Sequence, residues 1–118
     1  MSDIKTLDEQ LNSMILSGQI LEAFDKYYAD DVVMQENDDD ATVGKAANRE
    51  RELAYVGSIE AFHGASVVSQ AVNDNTSFSQ WQTDVTYKGA PRMQSTQVAV
   101  RQWKDGQVIN ERFYHQGH

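Results

Sequence analysis

Three side chains stand where they could move a proton. Glu36 closes the short run Val32-Val33-Met34-Gln35-Glu36, β-branched at its start, while Glu111 and His115 lie in the last predicted strand, 108–116. A carboxylate enclosed in an apolar cavity has a raised pKa, because burial disfavours its charged form. That moves it toward the pH at which a general base works best. A histidine titrates near neutrality without help. Glu111 and His115 are four residues apart on a strand, so about 13 Å separates them and they form no direct dyad. Either could meet Glu36 only across a curved sheet. Each also has a plainer reading. Glu36 could be a solvated acid just ahead of Asn37-Asp38-Asp39-Asp40, His115 a residue at a strand end, and Glu111 a structural acid paired with Arg101 or Arg112. Asp84, in mid-strand among Gln82, Thr83 and Val85, faces either outward or into a wet pocket.

Other chemistries find little support. The chain has no Cys, so it has no thiolate nucleophile, disulfide or cysteine-zinc site. A calcium loop starting at Asp39 would place Ala41 and Val43 at positions that must donate side-chain oxygens. His115 and His118 have a ligand-like spacing but no second pair. There is no glycine-rich phosphate loop and no Gly-x-Ser-x-Gly elbow. The expectation is therefore no metal and no cofactor.

The elements that must position these groups follow from periodicity. Ile4, Leu7, Leu11 and Met14 or Ile15 recur at three- and four-residue steps and predict a helix over 3–16, capped by Ser2 or Asp3 and stopped by Ser17-Gly18. A second helix is predicted over 19–29, with Ile20, Phe24, Tyr27 and Tyr28 on its face, ended by Asp30-Asp31. A short strand reaches Glu36, and a third helix is predicted over 44–62. From there the chain reads as strands 65–72, 76–88, 92–104 and 108–116, with turns at Asn73-Asp74-Asn75, Gly89-Ala90-Pro91 and Asp105-Gly106. Helices first and an antiparallel meander last predict an α+β layout, with helices on one face of a curved sheet. The 118 residues suffice for one domain, 1–118, able to bury its own core.

Charge narrows the partners. The net charge is −8, and residues 1–44 hold 11 of the 18 acids but only Lys5 and Lys26 as bases. A polyanion would be repelled there and offered no basic stripe elsewhere, so neither nucleic acid nor an anionic membrane surface is expected as a partner. No membrane-length apolar stretch and no secretory leader are visible, and with the absence of Cys this predicts a cytoplasmic protein.

The order of elements is similar to that of the nuclear transport factor 2-like cone fold. Tyr28-Ala29-Asp30-Asp31 followed by Val32-Val33-Met34-Gln35-Glu36 resembles its signature at the end of the second helix. The run from Trp103-Lys104-Asp105-Gly106 through Glu111-Arg112-Phe113-Tyr114 resembles its final hairpin. Within that superfamily the chain looks most like the SnoaL-like group of small bacterial proteins. The resemblance implies a cone-shaped antiparallel sheet closed from one side by three helices, a small-molecule pocket and a homodimer formed through the sheet. It places Glu36 where ketosteroid isomerases carry their catalytic base, and Ile109, Glu111, Phe113 and His115 on the inner face of the last strand. It does not supply the rest of that machinery. The first helix has Asn12-Ser13 where those enzymes have a tyrosine, and the penultimate strand reads Gln97-Val98-Ala99 with no acid. An enolate would lack its main electrostatic stabilisation, so steroid isomerisation is not expected.

Two readings result. In the first, the protein binds a small apolar or mixed-polarity molecule and acts as an isomerase-, cyclase- or dehydratase-type enzyme. Glu36 is its base, Glu111 and His115 further polar groups, and Phe24, Tyr28, Met34, Tyr55, Trp81 and Phe113 its pocket lining. In the second, it is a ligand-binding or dimerisation module without chemistry.

Overall fold

A computed structural model describes residues 3–115. Helix α1 (Ile4–Leu16) begins where the Asp3 carboxylate accepts the Thr6 amide at 2.8 Å, satisfying one of the unpaired donors of the first turn. It ends where Gly18 takes φ +87°, a left-handed conformation that costs glycine little. Helix α2 (Ile20–Tyr27) follows at once. Strand β1 (Tyr28–Glu36), the short β2 (Thr42–Val43) and helix α3 (Lys45–Ser58) lead into four long strands. These are β3 (Ile59–Asn73), β4 (Thr76–Tyr87), β5 (Arg92–Lys104) and β6 (Gln107–His115). The architecture is the expected α+β one, three helices on a curved, unclosed sheet.

The strand order is β2-β1-β6-β5-β4-β3. Strands β3 to β6 form the predicted meander, turned by Asp74 and by the Asp105-Gly106 pair, where both residues take positive φ. The sheet is not wholly antiparallel, however. β1 lies parallel to β6, with Met34 opposite Glu111 and Glu36 opposite Phe113. Two boundaries also differ from expectation. α2 stops at Tyr27, and Asp30-Asp31 lies inside β1, where the register with β6 shifts. α3 stops at Ser58, and 59–62 is strand. Register shifts near residues 60, 63 and 68 break the period-two alternation of β3, so Ile59 and Phe62 fall at a three-residue step that imitates a helix.

The helices cover one face of the sheet. Leu11, Ala23, Phe24, Tyr27, Tyr28, Val32, Met34, Trp103 and Val108 form the apolar core beneath them, each no more than 4% exposed. No helix is long and apolar enough to cross a membrane.

Candidate functional site

The pairing register lays the inward side chains in rows across the sheet. Met34, Glu111, Arg101 and Ser77 are successive partners on β1, β6, β5 and β4. The next row is Glu36, Phe113, Ala99 and Ser79, and the row beyond carries His115, Gln97 and Trp81. Glu111, Phe113 and His115 thus share the face assigned to them. Ile109 does not continue the alternation. A register shift lets the fully buried Val108 pair with Trp103, leaving Ile109 half-buried as the extra residue.

The first row is closed from above by α1. Asp8 and Asn12 are one turn apart beside Leu11, and all three are buried. Arg101 donates from Nη1 to Asp8 Oδ1 at 2.8 Å and to Asn12 Oδ1 at 2.6 Å, and from Nε to Glu111 Oε2 at 2.6 Å. Tyr28 donates its hydroxyl to the same Glu111 oxygen at 2.6 Å. Asp8 also accepts from Ser77 and Gln70, and Ser77 in turn accepts from the Trp103 indole. Burial works against the charge of Arg101, but the fields of Glu111 and Asp8 outweigh it and hold the guanidinium protonated. Burial likewise pushes the Tyr28 phenol well above its ordinary range, with Glu111 adding to the effect, so it stays a donor. Glu111 Oε1 is different. It is buried and has no hydrogen-bond partner.

Helix α3 brings a second carboxyl to this place. Gly44, at φ +98° and ψ 148°, starts the helix in a conformation open essentially only to glycine. Asn48, fully buried, fixes its first turn by donating to the carbonyls of Val32, Thr42 and Gly44. One turn later Glu52 points the same way and is half-buried. Burial drives its carboxyl up to about 7, with the negative fields of Glu111 and Glu36 adding and those of Arg51 and Arg101 subtracting. Next on this stripe, Tyr55 places its hydroxyl 3.4 Å from that of Tyr87, and burial raises its phenol as well. Sequence reasoning missed Glu52 because it closes the charged run Arg49-Glu50-Arg51-Glu52. The usable signal was its position four residues after Asn48 and four before Val56 on one helical stripe.

The predicted residues separate into three places. Glu36 sits at the rim, with a side chain 43% exposed, Arg51 at 3.5 Å and His115 Nε2 at 3.7 Å. The apolar enclosure expected around it is absent. His115, only 6% exposed, is carried there because Asn37 grips the end of β6, donating its amide to the Phe113 carbonyl and accepting the His115 amide on Oδ1. Arg112 adds a bond to Asp38 at 2.6 Å. Glu111 meets Arg101 and does not meet Glu36 directly. Among the expected lining, Phe24, Tyr28 and Met34 are core, with the Phe24 and Tyr28 rings stacked at 4.7 Å. Phe113 packs against that core, Trp81 is buried with its indole on Ser79, and Tyr55 is 42% exposed. Residues Ser2, Gln116 and His118, named above for a cap, a strand end and a histidine pair, lie outside the described residues. Among the described residues no three His, Cys, Asp or Glu side chains are placed to hold a metal ion.

Asp84 belongs elsewhere. Arg92 binds it through two hydrogen bonds, of 2.8 and 2.6 Å, and these pull its carboxyl down to about 2. It borders an open groove of about 1070 Å³ that crosses residues 64–66, 82–84, 93–96 and 114–115. That groove includes His115 but not Glu36, Glu52 or Glu111, and its one carboxylate is neutralised by Arg92. The half-buried Glu52 and the buried Glu111 therefore lie outside this groove. The bases opening α3 serve local pairs: Arg49 binds Asp25, and Lys45 binds the Asp25 carbonyl.

Comparison with known proteins agrees with this fold. The model of the SnoaL-like domain family matches residues 3–115. No curated protein matches the sequence. Among solved structures, a candidate SnoaL-like polyketide cyclase from Mesorhizobium loti is 27% identical, with 96% of this chain and 99% of that one aligned and a TM-score of 0.86. A nuclear transport factor 2-like protein from Burkholderia pseudomallei is 11% identical, covering 98% of this chain and 92% of its own, with a TM-score of 0.84. A candidate hydroxylase from Streptomyces galilaeus is 13% identical, covering 95% and 87%, with a TM-score of 0.77. The last two show likeness of fold alone.

Proposed function

Because the chain belongs to the SnoaL-like domain family, we propose that it binds a small organic molecule between α3 and the sheet and moves a proton on it. The observation that carries this reading is Glu52, a half-buried carboxyl held at about 7 beside the buried Glu111. A carboxyl so placed is partly ionised at neutral pH and can take or give a proton in either direction. Glu111, held by Arg101 and by the Tyr28 hydroxyl, forms a fixed floor. At the rim, Glu36 and His115 stand 3.7 Å apart and pass the proton between this interior and water. The reaction class is isomerase-, cyclase- or dehydratase-type, since each needs a base near an activated carbon or a leaving hydroxyl.

We also propose that a second copy of the chain covers the opposite face of the sheet. There the register brings Phe78 beside Val100, and Val98 beside Tyr114, in adjacent rows. Phe78 and Tyr114 are 38% and 44% exposed, an apolar surface suited to burial.

Native mass spectrometry of gently purified protein tests both statements. The expected result is a dimer carrying a small organic molecule. A ligand-free dimer that also stays empty when offered small ketones and hydroxy acids counts against the pocket and favours the dimerisation-module reading.

A further inference from the structure

The open groove is bordered by two rows of the register that belong to the sheet face turned away from the helices. Gly64, Asp84 and Gln94 form one row on β3, β4 and β5, and Ser66, Gln82 and Thr96 form the next. Tyr114 on β6 stands beyond them, 44% exposed, with the Arg112 guanidinium over its ring at 4.9 Å. Register shifts between Phe62 and Gly64 and between Val67 and Ser69 flank the β3 part of the groove, and such bulges bend a strand and re-aim its side chains. Gly64 adds no side chain, and a Cβ there would meet nothing within 4 Å, so the groove stays open at that point. The apolar patch assigned to a second copy ends at Tyr114, and the groove continues from there toward the turn between β4 and β5.

This lining selects by charge and by hydrogen bonding. Its carboxylate is engaged, since Asp84 accepts from Arg92 twice and from the Gln94 amide at 3.3 Å. Arg92 is engaged by the same bidentate contact, so neither a cation nor an anion finds an unspent opposite charge there. What remains is neutral and polar. Among the described residues, the side chains of Ser66, Gln82 and Thr96 make no hydrogen bond within the chain. Hydroxyls and amides both donate and accept. An apolar molecule laid over them would strip away their water and return no bonds.

We infer that this groove binds a neutral oligosaccharide. Each sugar hydroxyl is donor and acceptor at once, as these side chains are, and the C–H face of a sugar ring packs flat on an aromatic ring such as Tyr114. The four adjacent strands β3 to β6 spread these groups over about 14 Å, more than one sugar ring. A volume of about 1070 Å³ with one open side suits a chain that passes through. The site is separate from the interior beneath α3, because neither Glu52 nor Glu111 borders it.

The test is an NMR titration of the whole nitrogen-labelled chain at pH 7 with maltotriose, cellotriose and N-acetylchitotriose, and with trigalacturonate as an acidic counterpart. At least one neutral trisaccharide should bind with a Kd of about 1 mM, with shifts confined to residues 64–66, 82–84, 93–96 and 114. Trigalacturonate should bind about tenfold more weakly, because the chain carries a net charge of −8 and the groove has no unpaired base. Gly64→Val puts a branched side chain into the groove at a strand position with room for it, so the fold should persist and the affinity should fall about tenfold or more. Gln82→Ala, at an exposed position, should weaken binding about fivefold to tenfold. The inference is overturned if none of the neutral probes shifts the groove at about 20 mM, or if binding is untouched by Gly64→Val. Equal binding of trigalacturonate overturns the neutral assignment. Groove signals that move with protein concentration and not with sugar give this face to the second copy and overturn it as well.

Discussion

Asp8 and Glu111 grip the same guanidinium from opposite sides, Asp8 at 2.8 Å from Arg101 Nη1 and Glu111 at 2.6 Å from Nε, though one acid lies on the first helix and the other on the last strand. All three side chains are at most 2% exposed. A buried charge tolerates such a position only while its partners remain.

Arg101→Met leaves two buried carboxylates unpaired and should destabilise the fold by about 3 to 5 kcal/mol. Urea denaturation at pH 7 measures it. A change below 1 kcal/mol would show that the network contributes little beyond packing.

Glu52 makes stability depend on pH in the direction opposite to a paired carboxylate. Its folded pKa is raised from 4.5 to about 7, so between these values the folded chain holds more protons than the unfolded one. Stability therefore falls as pH rises through that window. Glu52→Gln should remove the effect and stabilise the protein by on the order of 2 kcal/mol at pH 8, with no gain at pH 4. Thermal melts of both proteins across pH 4–8 give the comparison.

The same substitution separates the proton carrier from its relay. On the substrate that native mass spectrometry identifies, Glu52→Gln should lower kcat by about a hundredfold or more. Wild-type kcat/KM should rise with pH through about 7, because the base must be ionised. Glu36→Gln should keep turnover but slow it by about tenfold, since water can replace a relay at an exposed rim. The reverse ranking would make Glu36 the base.

Gly44→Ala should cost about 1 to 3 kcal/mol. A Cβ at Gly44 would meet no atom within 4 Å, so the whole effect would come from φ +98°. An unchanged melting temperature would mean that the start of α3 relaxes freely.

Asp84 supplies a control away from the interior. Its carboxyl is held at about 2 mainly by the Arg92 hydrogen bonds. Arg92→Gln should return its titration to the ordinary aspartate range in carbon-detected NMR. Any stability it gives the wild type is present above the ordinary aspartate pKa and is lost only as pH falls toward 2.

The sequence made visible what local chemistry controls. The α1 stripe with its Asp3 cap and the Asp105-Gly106 turn follow from period and turn residues, while the inward set Glu111, Phe113 and His115 followed only from the resemblance, since alternation alone leaves both parities open. It concealed what depends on interrupted periods, such as the bulged start of β3 and the displaced Ile109. The same limit applies to the interior acids. Asp8 and Glu52 are charged residues on helices, and composition alone assigns both to solvent. Only the stacking of α1 and α3 over the Arg101 row turns them inward. Glu36 illustrates the converse, since its place at the end of β1 was legible while its exposure depended on how the 37–38 turn folds back onto β6.

The parallel pairing of β1 with β6 also constrains how the molecule comes into being. On the ribosome, α1, α2 and β1 emerge first, carrying Leu11, Phe24 and Val32 with no surface to cover them. The strand that completes the β1 edge arrives some eighty residues later, as does the Arg101 that neutralises Asp8. Such non-local closure is slow compared with local folding. The nascent chain thus holds an unpaired strand edge and uncovered apolar side chains through most of its synthesis, a state that invites chaperone capture or aggregation. A chain that stops before β6 should behave as an unfolded segment rather than as a smaller domain.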